Sequence, residues 1–257
     1  MSRWPPCRWD PRRGRGPIRV VLPPASGLAS IAAAVQNLRM IRSLLLSVLV
    51  LSLGVLGEDW RPLWDGKTMK GWIKAPFGGS GDVEIENGVL MLHQGLLTGV
   101  NCTNPVPKVD YEVEVEARRT SGNDFFCGLT FPVKDSFATL IVGGWGGSVV
   151  GISSLDDNDA AHNETTLHKR FDAGKWYRIR LRVTADALSV WIDDARVIQA
   201  SIQGRTVSLR PGDIEVSKPF GIAAYSTTSE IRSIRLRNAP KPSGTAPSTS
   251  ASGPAKP

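Results

Sequence analysis

The chain has 257 residues with 31 basic and 24 acidic side chains, a formal net charge of +7. Residues 1–57 carry that whole excess, with eight arginines and one acid, so the remainder is neutral. A neutral globular part lacks the electrostatic footprint of a nucleic-acid binder, and no nucleic-acid partner is expected.

Residues 1–39 are rich in Pro and Arg and precede an internal methionine, Met40. The stretch "MIRSLLLSVLVLSLGVLG" then places Arg42 before an apolar run, Leu44 to Leu56, that ends at the small residue Gly57. That is a secretory signal pattern, with cleavage expected just before Glu58. The run is short for a bilayer span and no cysteine follows it, so no stable membrane anchor is expected after cleavage. On this reading Met40 is the true start, residues 1–57 are a leader, and the product is exported to the periplasm or the extracellular space. The Arg-rich, acid-poor composition of residues 1–39 also fits an organelle transit peptide.

Between Glu58 and Ala239 the pattern is that of strands. "EIENGVLML" sets Asn87-Gly88 between two apolar runs, a hairpin signal because both residues tolerate positive φ. "YEVEVEAR" alternates, with Tyr111, Val113, Val115 and Ala117 on one face and Glu112, Glu114 and Glu116 on the other. A following strand over 125–131 predicts a hairpin around Gly122, which would set Cys127 opposite residue 116 and away from Cys102. The two cysteines are therefore expected to be free.

"LTFPVKDSFATLIVGGWGG" brings a second apolar run to a stop at glycines surrounding Trp145. "YRIRLRV" alternates Tyr177, Ile179, Leu181 and Val183 inward with Arg178, Arg180 and Arg182 outward. In "TADALSVWIDDARVIQ" a turn precedes the strand Leu188–Ile192, and Asp193-Asp194 turns it into another. Pairing Val183 with Leu188 sets Arg180 opposite Trp191, where guanidinium and indole can stack. "KPFGIAAYS" and "SIRLRN" close the domain. Short strands with turn signals between them predict an all-β sandwich or jelly roll over residues 58–239. The tail, 240–257, has no large apolar residue and is expected to be disordered.

The Glu and Arg stripes are expected to face each other across strands, either as a solvated surface or as a polar face that binds carbohydrate. "DDNDAAHNETTLH", residues 156–168, gathers Asp156, Asp157, Asp159 and Glu164 with His162 and His168 in one loop. It matches neither the zinc helix pattern nor a helical calcium loop. No cofactor is expected, although a loop calcium remains compatible with the acids.

The stretch "WRPLWDGKTMKGW", Trp60 to Trp72, resembles the opening motif of the 3-keto-disaccharide hydrolase domain family, with Trp64 and Met69 replacing the usual Phe and Leu. "VEIENGVL", "GKWYRIRLRV" and "GIAAYSTTSEIRSIRLRN" are also similar, so the resemblance spans Trp60 to Asn238. It implies a concanavalin-like jelly-roll sandwich of two antiparallel sheets. It also implies export, and a carbohydrate partner, an oxidised glucoside or disaccharide cleaved after proton removal at C2. The alternative is a non-catalytic carbohydrate-binding or interaction module. One departure is "NDFFCGLTF", where many members carry an Asn-Ser-Gly strand. We expect one sugar site joining Asp124 and Trp145 to the 156–168 loop. Glu164 or His168 would be the base, with Asp124 orienting a hydroxyl or a metal. Trp145, Asn163 and Asp156 would bind substrate.

Overall fold

The computed structural model describes residues 60–239. The signal-peptide reading of 40–57 and the disordered-tail reading of 240–257 lie outside the described residues. In chain order the strands are β1 (Arg61–Pro62), β2 (Trp72–Lys74), β3 (Val83–Glu86), β4 (Val89–Leu92), β5 (Leu97–Cys102), β6 (Tyr111–Gly122), β7 (Cys127–Val133) and β8 (Ser136–Gly144). They continue with β9 (Val149–Ser153), β10 (Leu167–His168), β11 (Tyr177–Val183), β12 (Ala187–Ile192), β13 (Ala195–Ser201), β14 (Gly221–Tyr225) and β15 (Thr227–Asn238).

These strands form the expected jelly-roll sandwich. Sheet A runs β13-β12-β11-β6-β15-β4-β3, with β1 also on β15, and sheet B runs β10-β9-β8-β7-β14-β5-β2. Every named pairing is antiparallel. The period-two apolar positions meet between the sheets: Tyr111, Val113, Val115, Ile179 and Leu181 from sheet A pack with Leu129, Phe131, Leu140, Ile152 and Ile222 from sheet B. All ten are fully buried. Full burial of such a side chain contributes about 1.5–3 kcal/mol, so this layer is the main source of stability. No helix among the described residues is long and apolar enough to cross a membrane.

The local hairpins follow their turn residues. Glu86 pairs with Val89 across Asn87 (φ 50°) and Gly88 (φ 78°), both in the left-handed region that this two-residue turn requires. Ile192 pairs with Ala195 across Asp193-Asp194, and Val183 pairs with Leu188.

One hairpin does not form. β6 and β7 belong to different sheets, because the chain crosses between layers after Gly122. Phe126, fully buried, is the plug at that crossing, with its ring 5.2 Å from Phe171 and 6.1 Å from Tyr177. Cys102 and Cys127 are both free, but the reason differs from the predicted register. They sit on β5 and β7, with β14 between them. Burial pushes the Cys127 thiol up to about 12.

The opening motif does structural work. Leu63 and Trp64 enter the core, and the Trp72 indole N–H donates to the Leu63 carbonyl at 3.0 Å. Asp65 accepts from the Thr68 hydroxyl (2.6 Å) and from the backbone N–H groups of Thr68 and Lys67 (both 2.8 Å). Those bonds, the Thr68 hydroxyl first, lower the Asp65 carboxyl to about 2. A carboxyl depressed in the folded state adds stability that is full above about pH 4, its unfolded range, and is lost as pH falls through about 2. Asp65→Asn should therefore lower the melting temperature at pH 7, and the gap to wild type should close as pH drops towards 2 in thermal scans.

Candidate functional site

The two outer faces of the sandwich differ, and the difference selects the site. On sheet A, β6 lies between β11 and β15. Its glutamates oppose arginines on both sides: Glu112 faces Arg182 and Arg237, and Glu114 faces Arg180 and Arg235. Arg182 Nε pairs with Glu112, Arg237 Nη2 lies 2.6 Å from Glu112 and Arg235 Nη2 lies 2.6 Å from Glu114. Guanidinium groups also cover the indoles. Arg237 stands 4.4 Å from the centre of Trp60, Arg118 and Arg232 stand 4.5 and 4.6 Å from Trp176, and Arg180 stands 4.2 Å from Trp191. The charges of this surface pair with one another, and guanidinium groups stand over its indoles. The polar-face reading of the two stripes resolves into a structural layer.

The outer face of sheet B is built differently. Because side chains alternate along each strand, the residues between the core positions point outward. The strand register aligns them in two rows. Ser153, Thr139, Thr130, Gly221 and Asn101 form one, and Gly151, Ile141, Gly128, Ala223 and Gly99 form the other. One row is mostly hydroxyls, with Thr130 and Thr139 Oγ1 atoms 3.0 Å apart. The other is small and lets neighbours come close: a Cβ on Gly128 would meet the Phe125 ring at 2.8 Å. Where the rows are left uncovered, at Thr139, Ile141 and Ser153, they make a shallow floor.

Two walls rise from this floor. One is a strap, residues 205–218, crossing from β9 to β5. It is tied at one end by paired backbone hydrogen bonds between Ser154 and Ser208, and at the other by Asn101 Nδ2 donating to the Val216 carbonyl at 2.7 Å. The other wall is the tip formed by Asp124, Phe125 and Trp145 with Tyr225. Between them lies a cleft of about 480 Å3 lined by Asp124, Trp145, Arg210, Asp213, Thr139 and Ser153, and by apolar side chains including Leu97, Ile141 and Ile214.

Trp145 holds a left-handed backbone, φ 47°, that bulky residues rarely adopt. Asp124 secures it. Its Oδ2 accepts from the Gly146 N–H at 3.3 Å, its Oδ1 accepts from the Phe125 N–H at 2.8 Å, and its own N–H donates to Thr227 Oγ1 at 3.0 Å. The indole is 40% exposed, with the Arg210 guanidinium carbon 5.9 Å from its centre. A strained aromatic held open at a cleft fits a ligand platform.

Of the six site residues expected from sequence, Asp124 and Trp145 line this cleft, whereas Glu164, His168, Asn163 and Asp156 do not. Their partners explain why. Asp156 and Glu164 both bind Arg205, at the foot of the strap, and Asp156 also accepts from the Thr206 N–H. Asp159 sits 3.8 Å from Arg210 and 2.6 Å from His162 Nδ1. The acidic loop thus supplies counter-charge to the strap. The backbone N–H of Thr206 and then the Arg205 side chain hold the Asp156 carboxyl below its usual range.

Asn163 is spent inside the loop, donating to the Ile152 and Asp159 carbonyls at 2.8 Å and accepting from the Thr165 N–H at 2.9 Å. His168 is exposed on the edge strand β10, its Nδ1 3.3 Å from Ser148 Oγ. Among the described residues no group of three or more His, Cys, Asp or Glu is arranged to hold a metal ion. Sequence reasoning missed Arg210 and Asp213, which lie in "LRPGDIE", a stretch with no periodic or motif signal. It also missed the floor, which exists only through register.

A family model described as 3-keto-alpha-glucoside-1,2-lyase-like domain matches residues 59–237. Among solved structures the chain is similar to the carbohydrate binding module CBM66 from Bacillus subtilis, at 17% identity and TM-score 0.44, over 65% of this chain and 96% of that one. It is similar to an apo Crh5 transglycosylase at 13% identity and TM-score 0.48, over 70% and 84% of the two chains. It is also similar to a glycosyl hydrolase family 16 protein from Mycobacterium smegmatis, at 10% identity and TM-score 0.45, over 69% and 98%. Likeness at these levels says nothing about activity. No match was found among curated proteins. The opening motif, the two-sheet architecture and the matched span agree, and the chain belongs to the family of 3-keto-alpha-glucoside-1,2-lyase-like domains.

Proposed function

We propose that this domain is exported, binds the sugar of a 3-keto-glycoside in the sheet B cleft and cleaves it by elimination. One observation carries the reading: within the family-matched span, a single cleft joins an open indole, Trp145, to the carboxylates of Asp124 and Asp213 and the guanidinium of Arg210. Export rests on the Met40–Gly57 pattern.

A ketone at C3 makes the C2 proton acidic. Asp124 takes that proton, and the electron pair moves into the C2–C3 bond as the C3 oxygen becomes an enolate. Arg210 offers positive charge to that oxygen. The enolate collapses, C1–C2 becomes a double bond, and the C1–oxygen bond breaks towards the leaving group, which takes a proton from water. Water can then add at C1. This differs from two-carboxylate glycoside displacement, because bond cleavage follows deprotonation at carbon.

A second reading, a non-catalytic carbohydrate-binding module, has its own support. Both Asp124 oxygens already accept backbone N–H groups, as in an aspartate that only shapes a turn. Incubating the protein with a 3-keto-glucoside in deuterium oxide separates the two. The enzyme reading expects release of the leaving group and an unsaturated or hydrated sugar product. Binding without release, and without deuterium at C2 of recovered ligand, would leave the module.

A further inference from the structure

The cleft is not uniform along its length. It spans from β9 to β5, four strand spacings, which is about 19 Å at ~4.8 Å per step. That exceeds what one sugar ring needs. Towards β8 and β9 the lining carries hydroxyls and charge, with Ser153, Thr139 and Arg210 beside Ile141 and Trp145. Towards β14 and β5 the apolar lining residues are Leu97, Phe125, Ile214 and Tyr225, backed by buried side chains. Leu97, Ala75, Phe77 and Ala223 form a small cluster of their own, separate from the main core, with Phe125 and Ile214 packed on it. Tyr225 stacks on Phe125, with ring centres 5.8 Å apart and planes at 25°, and remains 40% exposed. Along the strap towards Asn101 the charged lining residues, Arg210 and Asp213, come before the apolar Ile214.

The surface beyond continues the trend. The large hydrophobic residues left exposed among the described residues are Ile73, Leu96, Trp145, Val216 and Tyr225. Apart from Trp145, all belong to β2, β14, the entry to β5 or the strap's end at Asn101. Of these, Tyr225 lines the cleft itself, and Leu96 directly precedes the lining residue Leu97.

We infer that the natural substrate is a glycoside with an apolar, planar leaving group, such as an aryl aglycone, in place of a second sugar. The inference rests on the sugar-cleft reading above and assigns its other half. The aglycone lies on Tyr225 between Leu97 and Ile214, while the sugar lies on Trp145. Leu97, Ile214 and the Tyr225 ring would set apolar surface against the hydroxyls of a second sugar, and each hydroxyl left unmatched there loses its water without compensation.

The test is calorimetric titration of the full chain carrying Asp124→Asn, which keeps ligands intact, with the 3-keto forms of a phenyl glucoside and of a glucosyl disaccharide of the same anomeric configuration. The phenyl glucoside should bind at least about tenfold more tightly, the scale expected when an aromatic ring leaves water. Ile214→Asn and, separately, Tyr225→Ser should bring that preference to within about threefold, whereas Trp145→Ala should weaken both ligands by a similar factor. Equal or tighter binding of the disaccharide overturns the inference and leaves the sugar cleft standing. A preference untouched by either apolar-end variant also overturns it. Binding of neither ligand overturns the carbohydrate reading and the inference together.

Discussion

Asp124→Asn is expected to cut turnover of a 3-keto-glycoside by about 10²–10⁴-fold, the usual contribution of a positioned general base. The substitution is nearly isosteric, and an Asn oxygen can still accept the Phe125 N–H that Asp124 Oδ1 accepts at 2.8 Å. The Gly146 contact at 3.3 Å is the weaker one, so its loss should loosen the Trp145 turn only modestly. The predicted split is a large fall in kcat with KM changed less than about tenfold, and loss of deuterium exchange at C2 of the substrate. If Asp124 only shaped the turn, KM would rise and exchange would survive. Steady-state kinetics with mass analysis of the sugar distinguishes these outcomes.

Glu112→Ala should be among the most destabilising single changes outside the core, costing about 3–5 kcal/mol. The Glu112 side chain is fully buried, and arginines reach it from both flanking strands, with Arg182 on β11 and Arg237 on β15. Removing it leaves guanidinium groups crowded around an empty anion position. For a domain of this size the melting temperature should fall by roughly 10 °C. The control is Asp135→Ala, which breaks the Lys108–Asp135 pair whose side chains are 63% and 99% exposed. That change should cost less than about 1 kcal/mol. Equal shifts for the two variants in thermal denaturation would contradict the structural role assigned to the sheet A layer.

The contrast between these two faces shows what the sequence made legible. Period two in "YEVEVEAR" and "YRIRLRV" set which residues face the core, and it set Arg180 opposite Trp191, as the structure has it. It could not tell whether the two stripes bind a ligand or each other. That depends on β6 sitting between two Arg-bearing strands, a matter of sheet order. Gly122 looked like a hairpin turn because the local pattern is the same for a turn within a sheet and a crossing between sheets. The buried Phe126 decides for the crossing.

The site was legible only in part for the same reason. Trp145 stood out because glycines isolate it, and Asp124 because it precedes an apolar run. The acids of the 156–168 loop stood out equally, yet their charge answers Arg205 and Arg210, which lie about 40 to 50 residues further along the chain. Residue type announced carboxylates; only tertiary pairing separated those that hold the strap from those that line the cleft.

The central claim is that the outer face of sheet B, and not that of sheet A, holds the sugar. A crystal structure of the Asp124→Asn protein soaked with a 3-keto-glucoside tests it most directly. The account predicts the sugar ring within about 4 Å of the Trp145 indole, in contact with Arg210 and over the Thr139–Ser153 floor. A sugar bound instead over Trp60, Trp176 or Trp191 would contradict it.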